Sequence, residues 1–125
     1  MKKFRSFFAA MLFFILPAGL QAQDPVHTCP NVYKKVLLNN EQVRIIEIEF
    51  KPGDVADWHT HPNHTAYALT EAKLEIAEKG KAPVVAELKA GEVIYIPAIT
   101  HKAKNIGSNT VRMIVTEIKS STAAR

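Results

Sequence analysis

Four of the five histidines in this sequence fall in two short segments: His59, His61 and His64 in Trp58-His59-Thr60-His61-Pro62-Asn63-His64, and His101 further on. Neutral imidazole nitrogen is a ligand for zinc, copper, iron, nickel and manganese, whereas calcium requires a cage of oxygens. Residues two apart in a strand project to one face, so an extended segment aims His59 and His61 at a common point. On a continuous strand His64 falls on the opposite face, and Pro62-Asn63 supplies a turn able to bring it back. A later strand carrying His101 can pair opposite the first cluster. The pattern predicts one divalent transition metal (iron, manganese, nickel, zinc or copper) on His59, His61, His64 and His101. His27 stands apart and is read as exposed.

The elements that must position these side chains are short. From Val32 onward, β-branched and aromatic runs alternate with Gly, Pro and Asn punctuation at intervals of about ten residues, as in all-β sandwiches and barrels. Strands are predicted at 32–38, 43–50, 55–61, 65–69, 73–78, 84–88, 93–97, 100–104 and 110–119. In the second, Ile46, Ile48 and Phe50 share one face and Glu47 and Glu49 the other. Lys51-Pro52-Gly53-Asp54 has the residues of a tight turn. The fourth and fifth strands are expected to form a hairpin through Thr70-Glu71-Ala72. A set of strands this short limits its exposed edges by closing on itself, so the fold class is all-β, a barrel or jelly roll over 32–119.

The first 22 residues differ in character. Lys2, Lys3 and Arg5 precede an apolar run from Phe7 to Leu16, and Pro17, Gly19 and Leu20-Gln21-Ala22 follow. The run is short for a membrane span and has the form of a secretory signal peptide, with cleavage expected after Ala22. The domain is thereby expected in the periplasm or outside the cell, without a stable membrane anchor after cleavage. Sixteen Lys and Arg stand against twelve Asp and Glu, and three of the basic residues lie in the leader, so the remainder carries a net charge of only +1. No basic stripe with interleaved aromatics remains, which excludes a nucleic-acid partner on electrostatic grounds. Cys29, the lone cysteine, has no disulfide partner within the chain; it is expected as a surface thiol in a flexible segment, 23–31. Residues 120–125 are expected as a frayed tail.

Beyond the single residues, the chain resembles a small single-domain cupin from Val36 to Ile118. The first cupin motif, a glycine, five residues and then His-x-His, is matched by Gly53, His59 and His61. The second, a glycine, five residues, a proline, then a histidine and a later asparagine, is matched by Gly91, Pro97, His101 and Asn105. Two features depart from the pattern. Where many cupins place a glutamate ligand, this chain offers His64, implying a four-histidine variant of the metal motif. The glycine after the proline is replaced by Ala98-Ile99-Thr100. A neutral ligand set leaves a bound dication more of its charge, so it polarises water or a substrate oxygen more strongly.

The resemblance implies a cupin-like jelly-roll barrel and a small-molecule ligand or substrate, with a homodimer through the outer strands as a further expectation. It leaves the reaction open, since cupins include dioxygenases, sugar isomerases and epimerases, lyases and sensory or storage modules. The expected function is a metal-dependent, oxygenase-like enzyme acting on a small oxygen-bearing substrate. The alternatives are a metal-dependent isomerase or epimerase and a non-catalytic metal- or ligand-binding module. Glu117 is the candidate catalytic residue, a general base if it points inward and a lysine's surface partner if it does not. Trp58, Tyr67, Tyr95 and Met113 are further candidates for the pocket wall.

Overall fold

A computed structural model describes residues 23–120. The leader read over 1–22 and the tail beyond Ser120 lie outside the described residues. Among the described residues one helical turn, α1 (Pro25–Thr28), precedes nine strands: β1 (Tyr33–Asn39), β2 (Val43–Phe50), β3 (Val55–His61), β4 (His64–Ala68), β5 (Ala72–Glu78), β6 (Val84–Leu88), β7 (Val93–Ile96), β8 (Ile99–Asn105) and β9 (Val111–Ile118). They form a five-stranded sheet of order β1-β2-β9-β4-β7 and a four-stranded sheet of order β3-β8-β5-β6. Every strand pairing is antiparallel. The result is the all-β jelly roll expected from the punctuation of the sequence.

Alternation decides what faces the interior. On β2 the inward stripe ends in Ile46, Ile48 and Phe50, and on β9 it runs Val111, Met113, Val115 and Glu117. Each large apolar side chain buried there contributes roughly 2–3 kcal/mol relative to exposure. On β3 the alternation changes phase. Ala56 is buried, Asp57 is exposed, and His59 and His61 are buried, because the pairing with β8 shifts register between Ala56 and His59. That bulge turns both imidazoles inward.

The turn between β2 and β3 forms as expected. Gly53 takes φ 83° after Pro52, the positive φ that the third position of a type II turn requires. Asn105, the asparagine of the second motif, ties this turn to the core. Its Nδ2 donates to the carbonyls of Phe50 (3.1 Å) and Asn109 (2.8 Å), and its Oδ1 accepts from the Gly107 N–H at 2.9 Å. The missing glycine after Pro97 leaves no strain, since every non-glycine residue described keeps a negative φ. There the Ala98 N–H donates to Asn63 Oδ1 at 2.8 Å.

Two expectations are corrected. The hairpin between the fourth and fifth strands does not form: β4 is bonded along one edge to β9 and along the other to β7, so it has no free edge for β5. Instead β5 crosses to the other sheet, between β8 and β6. Nor is Cys29 a surface thiol on a flexible segment. Cys29 and Val32 are fully buried, and the segment docks on β3 through the Thr60 N–H donating to the Gln23 carbonyl at 2.9 Å. Asp24 caps α1 by accepting from the Val26 N–H at 3.0 Å, and Arg44 grips the same carboxylate at 2.7 and 3.0 Å. Apolar burial at Val26, Cys29 and Val32 and this ion pair together fix a stretch whose composition alone suggests mobility.

Candidate metal centre

The register places His59 directly opposite His101 across β3 and β8. With His61 two residues along β3, the three imidazoles offer ligand atoms that all lie within 4.8 Å of one another. His59 meets His61 and His101 edge-on, with ring centroids 4.8 and 4.6 Å away. All three are buried.

Hydrogen bonds orient the rings. Cys29 Sγ donates to the Asp57 carbonyl at 3.4 Å and lies 3.7 Å from His59 Nδ1. His59 Nδ1 also faces the Asp57 carbonyl, which can only accept, so Nδ1 carries the proton and Nε2 presents its lone pair. That lone pair points toward the Tyr33 hydroxyl, 3.2 Å from His59 Nε2 and 2.8 Å from His61 Nε2. One phenolic proton cannot satisfy two ring nitrogens. His101 goes further: both of its ring nitrogens are buried without a hydrogen-bond partner among the described residues, as is His61 Nδ1. Leaving such groups unpaired is costly, and a cation shared by the trio would take one nitrogen of each ring, relieving part of that cost on His101. The donor set therefore fits a transition metal.

Electrostatics agree. Burial pushes His59 down to about 4 and His101 down to about 3, and neighbouring imidazoles add to the effect. Both rings are neutral at physiological pH, the state in which imidazole binds metal.

His64 is buried too, but reaches the site from the other sheet. Its Nδ1–H donates to the Pro62 carbonyl at 2.8 Å, and its ring stacks on His61 with centroids 4.4 Å apart. The chain passes from β3 to β4 across Pro62-Asn63, which returns His64 to the interior as the turn predicts. The structure sets it beside the trio, with His61 between.

Glu117 points inward and is buried. It stands opposite Arg44 in the β2–β9 register and accepts from Arg44 Nη2 at 2.8 and 3.1 Å. Its Oε1 is 3.6 Å from His61 Nδ1, beyond a direct hydrogen bond but close enough to favour a proton on that nitrogen. Burial pushes the Glu117 carboxyl up, but His61 and the Arg44 guanidinium more than offset this and hold it below its usual range. Arg44 thus links Glu117 to Asp24, making a chain of charges from the helical turn to the clustered histidines. Sequence reading missed Tyr33, Arg44, Asp24 and the buried position of Cys29.

An apolar cavity of about 190 Å³ opens beside the histidines. His61, His64 and His101 form one contiguous part of its wall, and Phe50, Leu74, Met113 and Val115 contribute to the rest. Of the further candidates for the wall, Met113 lines the pocket. Tyr67 and Tyr95 do not: both lie outward on the five-stranded sheet, 42% and 58% exposed. Trp58 sits outside the cavity wall under Lys79, whose Nζ is 5.3 Å from the ring centroid.

Comparison with known proteins agrees with this architecture. A family model described as a cupin domain matches residues 46–117. A cupin domain from Bordetella pertussis Tohama I superposes with a TM-score of 0.64 at 25% identity, over 69% of this chain and 91% of that one. A cupin family protein with a double-stranded β-helix fold from Methanocaldococcus jannaschii gives 0.57 at 20% identity, over 68% and 77%. No curated protein matches. The matched span runs from Ile46 on the inward stripe of β2 to Glu117 at the end of β9 and encloses all four histidines, and on that match the chain belongs to the cupin domain family.

Proposed function

We propose that this cupin is an exported, metal-dependent enzyme of oxygenase type acting on a small oxygen-bearing substrate. The observation that carries it is His101, whose ring nitrogens are buried and find no partner among the described residues and which offers a ligand atom within 4.8 Å of those of His59 and His61, beside a cavity. His59, His61 and His101 would hold the metal, and His64 would join them through Nε2. A bound iron or manganese accepts further ligands beyond these and supplies a Lewis acid and redox centre. The chain's own contribution is to keep the imidazoles neutral, to orient them through Asp57, Tyr33 and Glu117, and to keep water from an apolar pocket.

The state of Glu117 favours oxidative chemistry over isomerisation. A proton-shuttling isomerase needs a base poised near neutral pH, and Glu117 is held low and bound by Arg44. It serves better as the anion that orients His61 than as a proton acceptor. Export rests on the basic start and the apolar run at 7–16, and is tested by sequencing the N-terminus of the mature protein, expected at Gln23.

The enzyme proposal is tested by adding nitric oxide, a dioxygen surrogate, to the iron(II)-loaded chain. A high-spin nitrosyl signal by electron paramagnetic resonance is expected, because iron held by the histidines would keep room for a further ligand. Bound iron without that signal would mean a closed site and favour the non-catalytic binding module.

A further inference from the structure

The substrate itself can be narrowed, on the basis of the metal-dependent function proposed above. Ala66 on β4, Ala72 on β5, Ala86 on β6 and Ala103 on β8 all line the cavity. Four strands thus place a single methyl group where their neighbours carry Ile, Leu or Val, and the space beside His61, His64 and His101 results from those small side chains. Apart from these imidazoles and the Tyr33 hydroxyl, already engaged with His59 and His61, the described residues of the wall offer no side-chain hydrogen-bonding group. The volume of about 190 Å³ exceeds the engineered apolar cavity of about 150 Å³ that takes up benzene.

We infer that the occupant is a small, largely apolar organic molecule, about one substituted ring in size, whose single oxygen-bearing group faces His61, His64 and His101. A sugar or a dicarboxylate is disfavoured, because each additional hydroxyl or carboxylate would be buried against methyl groups. Every such unpaired group costs roughly tenfold in affinity. The exposed Val84, 61% accessible, lies on the rim along the terminal strand β6 and gives an entry that is itself apolar.

The test is calorimetric titration of the chain as purified, and of the metal-stripped chain, with toluene, phenol, glucose and succinate. Toluene and phenol are expected to bind one per chain in both forms, with glucose and succinate at least tenfold weaker. Ala103→Leu, which fills the cavity, is expected to weaken toluene binding tenfold or more. Methyl resonances of Ala66, Ala103 and Met113 in the wild type are expected to shift with toluene, locating the probe whether or not the variant folds. The inference is overturned by absent toluene binding, by glucose or succinate binding as tightly, or by shifts confined to methyl groups elsewhere. Toluene binding needs no metal, so its failure is distinguishable from failure of the metal site, which is read by metal content.

Discussion

Glu117 Oε1 stands 3.6 Å from Nδ1 of His61, on the side of the imidazole away from the Tyr33 hydroxyl. The carboxylate biases the proton onto Nδ1 and so leaves a lone pair on Nε2, the nitrogen beside the Tyr33 hydroxyl. Glu117→Gln removes that bias while keeping size. Metal affinity, measured by competition with a chelator, is expected to fall about 10-fold, at the lower end for outer partners of metal-bound histidine. Unchanged affinity would mean that the carboxylate plays no part in orienting His61.

Arg44 is the counter-charge that makes a buried Glu117 tolerable, and it binds Asp24 as well. Arg44→Met leaves the Glu117 carboxylate buried without its guanidinium counter-charge. The expected cost is about 3 kcal/mol, at the low end for a broken buried pair because Arg44 keeps some solvent contact, and it should appear as a fall in Tm of roughly 10 °C or more. The double variant Arg44→Met, Glu117→Gln is expected to recover part of that loss.

Protonation gives a third outcome for the metal-free chain. The unfolded histidines take protons near 6.5, whereas in the fold His59 and His101 stay neutral down to about 4 and about 3. Between these limits the unfolded state binds more protons. Stability is therefore full above pH 6.5 and is lost as the pH falls toward about 4, by roughly 3 kcal/mol from His59 alone. Urea midpoints should fall steadily across that window. A flat profile would show that the rings are not held neutral by burial.

Much of the site was legible because it follows strand periodicity. His59 and His61 share a face by their spacing, and the apolar stripes Ile46-Ile48-Phe50 and Val111-Met113-Val115 can be read directly. Extending those stripes by one step reaches Arg44 on β2 and Glu117 on β9, two opposite charges in register, so their pairing was present in the pattern. Tyr33 was not legible, since β1 buries that residue alone and the rest of the strand is exposed. Cys29 was misplaced because its burial depends on a long-range contact with β3 that no local signal encodes. The hairpin failed because turn residues between β4 and β5 do not reveal that both edges of β4 are already taken.

Asn105 gives a fold-level outcome separate from metal. Its buried amide bonds the carbonyls of Phe50 and Asn109 and the N–H of Gly107. Asn105→Ala orphans these groups and is expected to cost roughly 2 kcal/mol in denaturant unfolding. Its metal content should remain that of the wild type under native conditions. Metal loss without loss of stability would instead place Asn105 in the site.

The most direct measurement is metal content by elemental analysis of the purified wild type, His64→Ala and His101→Ala, each checked for an intact β-sheet spectrum. One transition metal per chain is predicted in the wild type, with its loss in His101→Ala and a weaker but measurable retention in His64→Ala. A wild type without metal, or a folded His101→Ala that keeps a full complement, would contradict it.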